Sequence, residues 1–251
     1  MSAGAGSGRA PAVTVPAVPV GAHTPGPVWN GLRRALATTG HTVVYGVAGE
    51  RSSAEVLLAV ARRLLPDRTR DRLAVARGPH RRPHLVDRVS GRPVPVDVNL
   101  SHTADLVVVG VARTGGPPGT AARIGVDVER VDRLVADRPG MLARFTAPVE
   151  RRRLAAVPDA TRTAAVSRLW TCKEAVAKAD GRGLGLDLRT VVPEPGHDGH
   201  GEVAAVRGGA RAAVTARLVA HPARPGERYW IATALLYHVD PGPGLDRKET
   251  A

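Results

Sequence analysis

Two periodicities divide this chain. Runs in which apolar residues alternate with polar ones, or crowd together over a few positions, predict strands. They are His41 to Val47, Val96-Asp-Val-Asn-Leu-Ser-His102, Leu106 to Ala112 and Arg123-Ile-Gly-Val-Asp-Val-Glu-Arg130, then Leu186 to Val192, Ala212 to Val219 and Arg228 to Val239. The second and third, separated by a short polar turn, read as a hairpin-type pair. Helical spacing governs Val56, Leu57, Val60 and Leu64, in a helix opened by the capping box Ser52-Ser-Ala-Glu55 and stopped at Pro66. Pro148 opens a second helix, and a long third one runs from about Arg162 to Ala179 and closes at Gly181. Between these lie a Gly/Pro/Arg-rich loop, Arg77 to Pro95, and the break Gly115-Gly-Pro-Pro-Gly119. Each half of the chain offers strands and a long helix without a tandem repeat. The expectation is an α+β protein of two facing lobes, 28–122 and 123–240, with a disordered leader over 1–27 and a flexible tail over 241–251.

Composition narrows the class. With 251 residues and 43% hydrophobic content the chain can bury a core, and no apolar run approaches the roughly 20 residues of a membrane span. Met1 to Pro27 lacks the basic start and unbroken apolar stretch of a secretory signal. A single cysteine, Cys172, excludes an internal disulfide and a cysteine-built zinc site, which fits a reducing cytoplasm. The net charge of +13 suits nucleic acid, an anionic membrane or an acidic protein partner. The basic residues are spread along the chain, however, and aromatics are only 3%, too few for base-stacking platforms. Neither a nucleic-acid nor a membrane partner is expected.

Candidate chemistry begins with lysine. Of 36 basic residues only Lys173, Lys178 and Lys248 are lysine, and two of them fall in Trp170-Thr-Cys-Lys-Glu-Ala-Val-Ala-Lys178. Trp170, Glu174 and Lys178 recur at i, i+4 and i+8 and line one helix face; the plain alternative is an ordinary Glu-to-Lys helix pair. In Ile124-Gly-Val-Asp-Val-Glu129, strand alternation puts Asp127 and Glu129 on one side. Two adjacent carboxylates call for a cation between them, either a magnesium ion or neighbouring arginines such as Arg123 and Arg130. Ser101 and His102 end a strand, where they could reach phosphate oxygens or form an ordinary strand-end hydrogen-bonding pair, and no Gly-x-Ser-x-Gly elbow surrounds Ser101 to suggest a hydrolase. Arg51 stands at a helix N-terminus, where backbone N–H groups favour phosphate; the plain alternative is a solvated surface arginine.

Asn-Leu-Ser-His at 99–102, Ile-Gly-Val-Asp-Val-Glu at 124–129 and Trp-Thr-Cys-Lys-Glu-Ala-Val-Ala-Lys at 170–178, in this order, resemble the three signature blocks of the 4′-phosphopantetheinyl transferase superfamily. The larger, monomeric, two-lobed type that activates peptide and polyketide synthases is the one resembled. Similarity runs from about Glu50 to about Val239 and includes Arg144-Phe-Thr and Gly181-Arg-Gly-Leu-Gly-Leu.

The resemblance implies two pseudo-twofold-related α/β lobes with the active site in the cleft between them. It implies magnesium-dependent transfer of the phosphopantetheine arm of coenzyme A to a serine of an apo acyl or peptidyl carrier protein, releasing adenosine 3′,5′-bisphosphate. Asp127, Glu129 and Glu174 would hold the metal, Glu174 would accept the serine proton, and Lys178 would stabilise the leaving phosphate. Lys173 would shield phosphates, Ser101, His102 and Arg51 would contact those of coenzyme A, and Arg82-Pro83 resembles a Gly-Lys-Pro turn near the adenine. Family members carry a longer basic stretch before the position of Arg51, and this chain has Arg81-Arg82 where the family turn has Gly-Lys. The rival readings are a non-catalytic coenzyme A or phosphate-binding module of the same fold and a basic nucleic-acid-associated protein.

Overall fold

The computed structural model describes residues 17–115, 121–132, 140–193, 200–206 and 210–237. In chain order the elements are β1 (Val18–Pro19), α1 (Gly26–Thr39), β2 (His41–Val47), α2 (Ser53–Leu64), α3 (Asp67–Arg70), β3 (Leu73–Arg77) and β4 (Pro83–Asp87). There follow β5 (Val96–His102), β6 (Leu106–Arg113), β7 (Ala121–Arg130), α4 (Met141–Phe145), α5 (Pro148–Ala155), α6 (Asp159–Asp180), β8 (His200–Val206), β9 (Ala210–His221) and β10 (Arg224–Tyr237). The first sheet has the order β1-β2-β6-β5, with β1 parallel to β2 and the other neighbours antiparallel. The second is antiparallel in the order β7-β10-β9-β8, so β7 is one of its end strands. β3 and β4 pair as a separate ribbon.

Strand alternation sorts the side chains into three apolar layers. Val44, Val109 and Val111 of the first sheet turn towards α1 and α2 and pack on Trp29, Leu32, Leu57 and Val60. Val43, Tyr45, Leu106 and Val108 turn the other way and meet Ile124, Val126, Val128 and Ile231 of the second sheet. On the far side of that sheet α6 places Ala175, Val176 and Ala179 against Val214, Ala232, Ala234 and Leu236. The order is therefore helix, sheet, sheet, helix. Burying each such valine, leucine or isoleucine stabilises the fold by about 1.5–3 kcal/mol.

The 22-residue α6 is the spine of the second half. It is buried nearly all round over 171–177, as expected for a core helix, and Gly181 ends it at φ 93°, donating its N–H to Ala177 O at 3.1 Å. Contact with β7 is unusually close, because a Cβ on Gly125 would lie 2.0 Å from Ala175 O.

Several expectations change. Residues 17–27, expected in a disordered leader, hold β1 and the start of α1, and Trp29, Leu32 and Leu36 then join the first core; the rest of that leader and the expected tail lie outside the described residues. The strand expected over Leu186 to Val192 is a pair of 3-10 turns, Gly183–Gly185 and Leu188–Thr190. Asp187 accepts from Arg189 N at 3.0 Å and pairs with its guanidinium, a local alternative to a ladder that lets Leu186, Leu188 and Val191 all bury against α6. The Arg77 to Pro95 loop contains β4, in which only Leu85 is fully buried, between half-buried His84 and Val86. The capping box of α2 stands as read: Ser52 N donates to Glu55 Oε2 at 2.8 Å and Glu55 N to Ser52 Oγ at 3.3 Å.

Candidate active site

β7 and α6 carry the chemistry to each other. With Ile124, Val126 and Val128 committed to the sheet–sheet layer, the opposite side of β7 presents Gly125, Asp127 and Glu129 to the helix. Gly125 lets the backbones close, and the two carboxylates then meet the Trp170, Glu174, Lys178 row. Lys178 Nζ lies 2.6 Å from Asp127 Oδ1, and Trp170 Nε1 donates to Glu129 Oε1 at 3.3 Å. Trp170 is held edge-on to Phe145, with centroids 5.1 Å apart. Its role is thus double, an anchor for the helix and a donor that aims Glu129.

Asp127, Glu129 and Glu174 are 3%, 8% and 8% exposed, whereas the Lys178 side chain is 26% exposed and marks the open side of the group. Burial pushes the Glu174 carboxyl above its ordinary range, the charge of Asp127 adds to this with a smaller push from Glu129, and Lys178 opposes it. Asp127 Oδ2 and Glu174 Oε1 are buried without a hydrogen-bond partner. Buried carboxylate oxygens ordinarily have partners, so the donor set and its two unpartnered oxygens suit a hard divalent cation. As placed, no three His, Cys, Asp or Glu side chains among the described residues are gathered to hold an ion.

β5 supplies the first sheet's contribution. Ser101 Oγ donates to Asp127 Oδ1 at 2.7 Å and accepts from Lys178 Nζ at 2.8 Å, so Ser101 belongs to the carboxylate group itself. His102, next along the strand, is exposed and shares with Arg51, Gly49, Ser53 and Thr103 a hollow of about 260 Å³ at the α2 N-terminus. A larger hollow of about 560 Å³ lies on the other side of Arg51, with mostly apolar walls that include Trp29, Val44, Val56 and Val109. The polar one, with an arginine, an imidazole and a helix N-terminus, has the chemistry of an anion site.

One expected contact is corrected. Lys173 is fully buried, forms a 2.6 Å ion pair with Glu150 and donates to Leu188 O at 2.9 Å, so its ammonium ties α6 to α5 and to the following turn. Burial lowers its pKa and Glu150 opposes this. It is not placed to shield a phosphate. Arg82-Pro83 is expected as a turn near an adenine; the Arg82 side chain is engaged within the protein, donating to Asp97 Oδ2 at 2.6 Å, Ile124 O at 2.8 Å and Lys178 O. Pro83 begins β4 beside it. The turn before it holds His80 and Arg81 at φ 52° and 59°, a left-handed conformation at the position where the family turn has glycine. Asp97 and Asn99 went unread as functional residues; their shared side of β5 with Ser101 follows from strand alternation, but what that side meets does not.

The superfamily model described as 4′-phosphopantetheinyl transferase matches residues 123–234. A Synechocystis sp. protein named, provisionally, as a 4′-phosphopantetheinyl transferase is 31% identical over 147 residues, 57% of this chain and 52% of that protein. The 4′-phosphopantetheinyl transferase HetI of Nostoc sp. is 36% identical over 86 residues, 34% of this chain and 33% of HetI. The matched part therefore spans about half of the first relative and a third of the second. A solved structure described as apo-ACPS from "Chronobacterium ammoiniagenes" overlays with TM-score 0.35 at 17% identity, covering 46% of this chain and 96% of that one. The segment that carries Asp127, Glu129, Trp170, Glu174 and Lys178 is thus the part of the chain that is similar to the 4′-phosphopantetheinyl transferase superfamily.

Proposed function

We propose that this protein transfers the 4′-phosphopantetheine arm of coenzyme A to a serine of an apo acyl or peptidyl carrier protein. The observation that carries this reading is the meeting of Lys178 and Glu174 with Asp127 beside two unpartnered, buried carboxylate oxygens. In the reaction the serine Oγ attacks the phosphorus that bears the pantetheine, the bridging P–O bond breaks, and adenosine 3′,5′-bisphosphate leaves. Glu174, its carboxyl raised by burial, accepts the serine proton. Lys178, on the open side, turns from Asp127 to the oxygen on which charge develops. Ser101 orients both partners of that ion pair. Arg51 and His102 hold a terminal phosphate of coenzyme A in the polar hollow.

Asp127, Glu129 and Glu174 are the residues that would hold magnesium, which when bound neutralises pyrophosphate charge. On this reading the chain divides near residue 122 into the two lobes of the larger monomeric type, coenzyme A lies in a cleft between them, and the protein acts in the cytoplasm. Among the described residues no helix is long and apolar enough to cross a membrane. The net charge of +13 steers acidic carriers to the surface, raising the rate of encounter more than the affinity.

The test is intact-mass spectrometry of an apo carrier protein incubated with this protein, coenzyme A and magnesium. A phosphopantetheine increment that disappears with a chelator and with Glu174→Ala supports the reading. Coenzyme A binding without an increment on any of several unrelated carriers would replace it with a non-catalytic binding module.

A further inference from the structure

Arg82 bonds to β5, β7 and α6, the elements that carry Ser101, the carboxylates and Lys178. From the turn before β4, Nη2 reaches Asp97 Oδ2 on β5 at 2.6 Å and Ile124 O on β7 at 2.8 Å, and Nη1 reaches Lys178 O on α6. Asp97 completes the clamp by accepting from Ile124 N at 2.7 Å with the same oxygen. Both side chains are 13% exposed. Two residues on, Asn99 Oδ1 accepts from Val126 N at 2.9 Å, and after two more Ser101 reaches Asp127.

These contacts answer a backbone problem. β7 ends its sheet, so its outward N–H groups at Ile124 and Val126 have no ladder partner, and a buried N–H left unpaired is costly. Side chains from one face of β5 take the place of a neighbouring strand. The registers of β7 and α6 are thereby set by side chains of β5 and by an arginine, paired with Asp97 of that strand, that grips a carbonyl of each. A slip of β7 by one residue would turn Asp127 and Glu129 away from α6.

We propose that Arg82 and Asp97 are positioning residues of the transfer reaction, a buried ion pair that aligns the Asp127 strand with the Glu174 and Lys178 helix. The inference rests on the transferase reading and gives the Arg82 side chain a role apart from the turn near the adenine that the resemblance implies. A displacement of about 1 Å in such a group lowers rate on the order of 100-fold without needing to weaken ground-state binding.

The experiment compares wild type, Arg82→Met, Arg82→Lys, Asp97→Asn and the Arg82→Met/Asp97→Asn double variant at a temperature well below every Tm. Transfer kinetics and amide exchange at Ile124 and Val126 are both measured. Expected are a kcat lower by tenfold or more in Arg82→Met, a coenzyme A KM within about threefold of wild type, and partial recovery in Arg82→Lys. The double variant should lose less than the product of the single losses. A raised KM with unchanged kcat would overturn the proposal in favour of direct coenzyme A contact, and unchanged kinetics in a protein of lower Tm would reduce the pair to a structural tie. If wild type transfers nothing, the transferase reading fails by itself. The clamp is then judged by exchange alone: tenfold faster exchange at Ile124 in Arg82→Met with α2 unchanged upholds it, and unaltered exchange overturns it.

Discussion

Lys178 Nζ rests 2.6 Å from Asp127 Oδ1, and Ser101 bonds to both. An ammonium held on a carboxylate beside two other acids offsets part of the group's charge before any substrate arrives, and its side chain, 26% exposed, lies on the open side. Lys178→Ala is therefore expected to lower kcat by about 100-fold or more while changing coenzyme A affinity by less than about fivefold, because the phosphate charge it meets develops during reaction. Single-turnover transfer and calorimetric coenzyme A titration separate the two quantities. Equal losses in both would make Lys178 a clamp for the bound phosphate instead.

Glu174 makes stability depend on pH with a definite sign. Burial, Asp127 and Glu129 raise its carboxyl above the ordinary 4.5, so between that value and the folded one the folded chain binds more protons than the unfolded chain. Stability then falls as pH rises through this window and stays lower above it. Glu174→Gln removes the penalty. Its Tm is expected to exceed wild type at about pH 8 and to converge with it below about pH 4.5, while transfer is abolished. Magnesium should raise the Tm of wild type at neutral pH and leave Glu174→Gln nearly unmoved. Thermal melts across pH, with and without the ion, read both effects, and a variant less stable than wild type at about pH 8 would contradict the assignment.

The spacing of Trp170, Glu174 and Lys178 made one side of α6 readable in advance, because helix geometry is local. The capping box at Ser52 was readable for the same reason. Lys173 was not. It sits five residues before Lys178, on another side of the helix, and only the packing of α5 decides that it meets Glu150. Asp97 and Arg82 are alike in this: nothing near them in sequence states that β7 runs past their side chains. β4 and α1 escaped because arginine, proline and small residues dilute the apolar pattern that their few buried leucines make.

The Lys173 and Glu150 pair yields the next expectation. Glu150 Oε2 also accepts from Ala147 N at 2.7 Å, so one carboxylate oxygen serves an ion pair and a helix start. Lys173→Met leaves that carboxylate buried without its cation and is expected to cost about 3–5 kcal/mol, while Lys173→Met/Glu150→Gln costs less than the sum of its parts. Chemical denaturation measures this. Coenzyme A affinity of the folded Lys173→Met fraction should match wild type, and a loss of tenfold would restore the phosphate-shielding role.

Gly125 tests how the strand and helix come to share a site. A Cβ there would lie 2.0 Å from Ala175 O and 2.4 Å from Ala179 N, distances no side chain occupies, and both atoms are backbone of α6. Neither can yield without shifting the helix, unlike Gly110, whose Cβ would meet the ends of Val126 and Ile124 side chains at 2.7 and 2.8 Å. Gly125→Ala is expected either to prevent folding or to move α6 outwards by about the ångström or more that separates clash from contact. In a variant that still folds, the Trp170 to Glu129 and Lys178 to Asp127 contacts lengthen together, so transfer falls by at least about 100-fold at temperatures where the fold is intact. Gly110→Ala, whose clash is with side-chain methyls between the sheets, should lower Tm while keeping kcat within a few-fold of wild type. Circular dichroism melts and transfer rates of the two variants, measured side by side, check this. If both variants lose activity only in proportion to unfolded protein, the approach of β7 to α6 matters for stability and not for the geometry of the acids.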